Sequence, residues 1–74
     1  MTLADAKVAS DVVIKKVGGK GILRCRLLDM GLIPNTKVHV VKFAAMGDPI
    51  EIRLRGYELT IRKDEAKNIE VESV

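Results

Sequence analysis

Residues 27–36 read LLDMGLIPNT, and this stretch decides the fold. Gly31 follows an apolar run at helical spacing, and glycine is common just beyond the end of a helix. Pro34 and Asn35 then favour a turn, and Thr36 opens a segment with the spacing of a strand. The stretch therefore predicts a helix that ends at Gly31 and is followed by a turn and a strand. It contains no plausible catalytic group.

The segment before this stretch predicts one strand and the body of the helix. Residues 12–17, VVIKKV, are rich in β-branched side chains and stop at two glycines, as strands often do. Over residues 22–30 the apolar residues change to helical spacing, so that Leu23, Leu27 and Met30 would share one helical face. We therefore expect the first strand at 12–17 and a helix at 22–30.

Beyond the turn, the spacing of apolar residues predicts four further strands. Isoleucine and leucine alternate with charged residues at 50–55, the clearest half-buried strand in the chain, and Gly56 separates it from a partner in a hairpin. The four strands are expected at 37–43, 50–55, 57–62 and 69–71, with one helical turn at 63–68.

Five short strands in 74 residues favour a mainly β fold, a small antiparallel barrel that is partly closed. Closure is favoured because it removes edges that would otherwise aggregate. The helix between the first two strands would cap the barrel, and aliphatic side chains must fill it because only Phe43 and Tyr57 are aromatic. No repeat or linker divides the chain, so we expect one domain over residues 1–74.

Charge and cysteine content exclude several classes of protein. The net charge is +3, and residues 1–47 hold eight basic and three acidic groups, which is too weak a bias for independent DNA binding. The only cysteine, Cys25, cannot form an internal disulfide, and no leader opens the chain, so we expect a cytoplasmic protein. Apolar runs fall far short of the roughly 20 residues that span a bilayer. Any membrane association should therefore occur through a partner.

Few residues could carry chemistry. Cys25 and Asp29 stand four apart on the predicted helix and, with His39, could approach a metal ion, but the usual ligand spacings are missing. A nucleophilic Cys25–His39 pair lacks any sign of an orienting group or an oxyanion site. We therefore expect no metal, no cofactor and no enzyme activity.

The glycine-rich run GGKG at 18–21 precedes the helix, where backbone N–H groups can attract anions. It fails the phosphate-loop pattern, so a simple strand-to-helix turn is the better interpretation. Five basic residues lie near it, but no aromatic side chain is interleaved to stack bases, which favours a solvated face over a nucleic-acid site. These residues are Lys15, Lys16, Lys20, Arg24 and Arg26.

Several motifs, taken in order, resemble the FeoA family, the small cytosolic components of bacterial ferrous iron uptake systems. The resemblance covers residues 3–72. The sequence departs from the family pattern at Asn35, where glycine is common in the family, and at residues 8–10, where VAS replaces a Pro-Gly turn. The motifs are LLDMGLIPNTKV at 27–38, GDPIEI at 47–52, RGY at 55–57, IRKDEA at 61–66 and IEV at 69–71.

The resemblance implies an SH3-like barrel that works with the membrane transporter FeoB, docking to its cytosolic GTPase-bearing part at the inner face of the membrane. It implies no enzyme activity. Apolar residues ringed by arginines suit such docking, although the same apolar residues could instead seal the barrel beneath the helix. The predicted partner-binding residues are Arg24, Arg26, Leu28, Leu32 and Ile33.

Two alternatives remain from the sequence. SH3-like barrels also occur as regulatory modules of metal-dependent transcriptional repressors, where a DNA-binding helix-turn-helix precedes the barrel; this chain has none. A direct Fe(II)-binding protein is the other alternative, and anaerobic Fe(II) should then raise its melting temperature.

Overall fold

The computed structural model describes all 74 residues and contains one antiparallel sheet of five strands in the order β4-β3-β2-β1-β5. The strands are β1 (Asp11–Val17), β2 (Lys37–Phe43), β3 (Ile50–Leu54), β4 (Tyr57–Ile61) and β5 (Ile69–Ser73), and the helices are α1 (Ile22–Asp29) and α2 (Lys63–Ala66). The predicted mainly β fold is confirmed, with one helix after β1 and a short helix near the C-terminus. The two terminal strands of the sheet, β4 and β5, do not pair with each other, so the barrel is open between them.

The core consists of 16 buried side chains, all aliphatic or alanine. On β3, Ile50, Ile52 and Leu54 are buried while Arg53 is exposed, as the alternation in the sequence predicts. Register shifts in β1 and β2 mark bulges, which bend a strand and strengthen its twist. The bent strands direct one apolar face inward.

The end of α1 explains the stretch that decides the fold. The Gly31 N–H donates to the Leu28 carbonyl (3.0 Å) and the Leu32 N–H to the Leu27 carbonyl (3.1 Å). With Gly31 at φ +96°, this is the Schellman arrangement, in which the residues before and after the glycine turn make an apolar contact. Leu27 and Leu32 accordingly both belong to the core.

Both departures from the family pattern fall at left-handed backbone positions. Asn35 has φ +70°, a conformation that asparagine tolerates better than most residues. Ala9 has φ +66°, and the turn around it is bonded to β2, since the Ala9 N–H donates to the Val40 carbonyl (2.8 Å). The VAS segment therefore makes the turn despite lacking glycine.

Replacing Ala9 by glycine is expected to stabilise the protein. An L-residue in the left-handed conformation costs the folded state roughly 1–2 kcal/mol, and glycine removes this cost. Glycine also makes the unfolded chain more flexible, which lowers stability by about 0.4–1 kcal/mol. Urea denaturation of Ala9→Gly should show a net gain of about 0.5–1 kcal/mol. Ala45→Gly is the matched control: Ala45 lies in a turn without positive φ, so that variant should lose stability. If Ala9→Gly also lost stability, the left-handed backbone of Ala9 would not be strained.

The two edges of the sheet differ in how they are covered. Thr2 forms a bridge with Glu70, and the Val71 N–H donates to the Met1 carbonyl (2.8 Å), so the N-terminal segment covers β5. Leu3, which follows, is fully buried and anchors this segment. No strand covers the corresponding edge of β4.

Candidate docking surface

Helix α1 carries apolar side chains on both of its faces. Leu27 is fully buried and Leu23 packs partly buried against the core, whereas Ile22 is 87% exposed and Cys25 is exposed. A helix on the surface of a barrel usually turns polar residues outward. The outward isoleucine is therefore unexplained by the fold of the domain alone.

A shallow groove runs along the outward side of α1. Its apolar part is Ile22 with the partly buried Met30, and charged Arg26 and Asp29 border it. We call this surface the outer α1 face. It consists of Ile22, Cys25, Arg26, Asp29 and Met30.

An ion pair fixes one side of α1. Arg26 Nη1 lies 2.9 Å from Glu65 Oε2, and the Glu65 side chain is only 10% exposed. The other oxygen of Glu65 accepts a hydrogen bond from the Arg62 N–H (2.9 Å) at the start of α2. Because an unpaired buried carboxylate is costly, Arg26 has a structural role in joining α1 to α2.

Tyr57 fixes the C-terminal end of α1. Its hydroxyl donates to the Met30 carbonyl (2.8 Å), one of the carbonyls that a helix end leaves without a partner. A Cβ on Gly31 would lie 2.7 Å from that hydroxyl oxygen. The LLDMG and RGY motifs thus meet at one contact, between residues 27 positions apart in the sequence.

The structure distributes the five predicted partner-binding residues over different environments. Arg24 is exposed and its Nε donates to the Val17 carbonyl (3.2 Å). Arg26 is also exposed, and Leu28 and Ile33 are half-buried. Leu32 is fully buried, so its placement on the surface was wrong: the Schellman turn directs its side chain onto Leu27 in the core.

Sequence reasoning also missed two residues of the outer α1 face. Ile22 was not considered for docking, and Cys25 was considered only for chemistry. The signal was present, because residues 22, 25 and 29 follow helical spacing on the side opposite Leu27.

The residues considered for metal chemistry lie apart. Cys25 and Asp29 are on the outer α1 face, whereas His39 on β2 has its Nδ1 2.9 Å from Asp11 Oδ1. No group of three or more His, Cys, Asp or Glu side chains is placed to hold a metal ion. In addition, no helix has the length and apolar character needed to cross a membrane.

The glycine run has local contacts in the fold, and three of the five basic residues beside it have partners in the domain. The Gly18 N–H donates to the Asn68 carbonyl (2.6 Å), and Gly19 lies against the Leu23 side chain. Among the five basic residues, Lys15 lies 3.5 Å from Glu72, while Lys16 and Lys20 form no ion pair. The run is thus a packed strand-to-helix turn.

A curved antiparallel sheet with an aliphatic core and one helix that exposes an isoleucine defines a small SH3-like β-barrel domain whose candidate site is a surface. The FeoA domain family model matches residues 1–73. The chain belongs to the FeoA family, which is associated with ferrous iron transport.

Individual relatives agree with this membership. The chain is 34% identical over its whole length to an Fe(2+) transport protein A/Fe(2+) transporter FeoB fusion protein of Porphyromonas gingivalis, and it spans 9% of that relative's length. The structure of an FeoA-like protein from Clostridium acetobutylicum has a TM-score of 0.93, with 38% identity over 100% of this chain and 86% of the other. The zinc complex of Stenotrophomonas maltophilia FeoA, described as an SH3 domain protein, has a TM-score of 0.86 with 22% identity over 97% and 89% of the chains.

The same fold occurs within a repressor. The manganese-activated repressor ScaR has a TM-score of 0.88 with 22% identity, over 100% of this chain and 35% of that protein. At this identity the likeness concerns the fold alone.

Proposed function

We propose that this domain is a non-enzymatic adaptor of ferrous iron uptake, which docks through the outer α1 face onto the cytosolic, GTPase-bearing part of a FeoB-type transporter. The observation that carries the proposal is Ile22, 87% exposed on a helix whose other face fills the barrel. In this proposal the domain acts in the cytoplasm and reaches the inner face of the membrane only through the transporter.

The fusion relative supports the choice of partner. There, Fe(2+) transport protein A and FeoB are parts of one chain, which keeps the two at a high effective concentration. Proteins that work together through a weak contact benefit most from such a linkage. For this domain, the same contact with a FeoB-type transporter would form either between two separate molecules or within one longer chain that contains both.

The composition of the outer α1 face suits a protein partner. Interfaces commonly place an apolar centre inside a polar rim, and here Ile22 and Met30 are bordered by Arg26 and Asp29. Full burial of an isoleucine side chain contributes about 1.5–3 kcal/mol. A single residue of this kind can therefore decide whether the complex forms.

Ile22→Asp tests the proposal. The change places a charge at the centre of the interface without touching the core, so it should weaken binding to the purified cytosolic part of FeoB by at least about tenfold, or 1.4 kcal/mol, in calorimetry. The melting temperature should stay close to that of the wild type, because Ile22 has few contacts to lose.

Val8→Asp is the matched control. Val8 is also an exposed apolar residue (54%) but is not one of the residues that form the outer α1 face. It should bind FeoB like the wild type. Equal binding by the wild type and Ile22→Asp would reject docking through the outer α1 face.

A further inference from the structure

The free edge of β4 presents backbone groups that the domain does not use. Residues on either side of a two-residue hairpin turn form a hydrogen-bonded pair, and such pairs alternate along the ladder. Tyr57, Leu59 and Ile61 therefore direct their N–H and C=O groups toward β3. Those of Glu58 and Thr60 face the open edge, where no other strand lies.

A small cavity adjoins the far end of this edge. It lies between the end of β4, the Arg26 flank of α1 and the start of α2, and is lined by Arg26, Pro49, Thr60, Ile61, Arg62 and Glu65. Arg26 and Glu65 neutralise each other. Arg62 is exposed and its side chain forms no ion pair in the domain, so the residues that line the cavity carry one more positive than negative charge.

We propose that β4 binds an extended acidic segment of a partner protein, which adds to the sheet as a sixth strand and places a carboxylate beside Arg62. The backbone of Glu58 and Thr60 would supply the hydrogen bonds, as in other cases where a peptide extends a sheet. Arg62 would supply selectivity, because a guanidinium binds a carboxylate through two parallel hydrogen bonds.

A second copy of this chain fits the edge less well. If β4 paired with its own copy, the nearest carboxylate that the copy could offer to Arg62 would be that of Glu58. This carboxylate already accepts from Arg53 Nη2 at 2.8 Å. An acidic segment from another protein brings a carboxylate that is not already paired with an arginine.

The test uses the isolated domain labelled with ¹⁵N and a synthetic peptide of alternating valine and glutamate, about eight residues long, an ordinary strand length. The amides of Glu58 and Thr60 should shift, and their hydrogen exchange should slow by about tenfold or more. A peptide with lysine in place of glutamate should do neither. No transporter is present, so this result is independent of docking through α1.

Two pairs of variants separate the backbone and charge contributions. Thr60→Pro removes the outward N–H without removing a bond to β3, and should abolish the shifts, while Thr60→Val should keep them. Arg62→Glu should lower peptide affinity by about tenfold or more, while Lys7→Glu, on the exposed N-terminal turn, should not change it.

Three results would overturn the proposal, and none depends on whether Thr60→Pro folds. The first is the absence of shifts at Glu58 and Thr60 with the acidic peptide at millimolar concentration. The second is equal shifts with the lysine peptide. The third is protection of these two amides that rises with protein concentration in the absence of peptide, which would identify a second copy as the occupant.

Discussion

Leu32→Asp is expected to unfold the domain. Leu32 is 0% exposed and packs in the core beside Leu27, so the new carboxylate would be buried without a partner. Burying a polar group without a hydrogen bond costs several kcal/mol, and burying a charge costs more. The free energy of unfolding of a small domain is roughly 5 kcal/mol, so this cost would remove most or all of it. Far-UV circular dichroism at pH 7 should show no cooperative thermal transition.

Leu32→Met is the control for this prediction. It keeps the volume and apolar character of the side chain and should cost less than about 1.5 kcal/mol. If Leu32→Asp melted cooperatively within a few degrees of the wild type, the Leu32 side chain would not be buried in the core. The residue would then be available for docking, as the sequence had suggested.

Gly31→Ala is expected to destabilise the domain by about 1.5–2 kcal/mol. A net cost of roughly 0.5–1 kcal/mol comes from an alanine in the left-handed region, where Gly31 has φ +96°, after allowance for the lower flexibility of the unfolded alanine chain. A further contribution of about 1 kcal/mol comes from displacing the Tyr57 hydroxyl, 2.7 Å from the new Cβ, and so losing its bond to Met30. Urea denaturation measures the sum.

Gly47→Ala separates these two contributions. Gly47 also has positive φ (+81°), but no atom lies within 4 Å of its added Cβ, so only the net backbone cost of about 0.5–1 kcal/mol should appear. In addition, Gly31→Ala should cost less in a Tyr57→Phe background, where the hydroxyl is gone. Equal costs in the two backgrounds would show that Tyr57 and Gly31 are not coupled.

The strands were predictable because their information is local. Alternation at 50–55 specifies which face of β3 is buried, and the Arg55-Gly56 turn specifies its pairing with β4. The glycine that ends α1 is also a local signal. Leu32 was misplaced because the direction of its side chain depends on the conformation of Gly31 before it, not on the apolar spacing.

The features that distinguish the candidate sites depend on contacts between residues that are far apart in the sequence. The Arg26–Glu65 ion pair and the Tyr57–Met30 hydrogen bond each join residues more than 25 positions apart. The free edge of β4 follows from the order of the strands in the sheet, which local patterns do not specify. The exposure of Ile22, by contrast, could have been predicted by extending the helical face analysis to the side opposite Leu27.

The short length of α1 has a consequence for how a partner would act on it. A helix of eight residues is marginal by itself, and here only Leu27 within it is fully buried. Its order therefore depends on Leu27, the Arg26–Glu65 pair and the Tyr57 bond. A partner that covers Ile22 would add apolar anchoring on the outward side of the helix, so binding and helix rigidity would be thermodynamically linked. The bound domain would then exchange its α1 amides more slowly than the free one, without any change in fold.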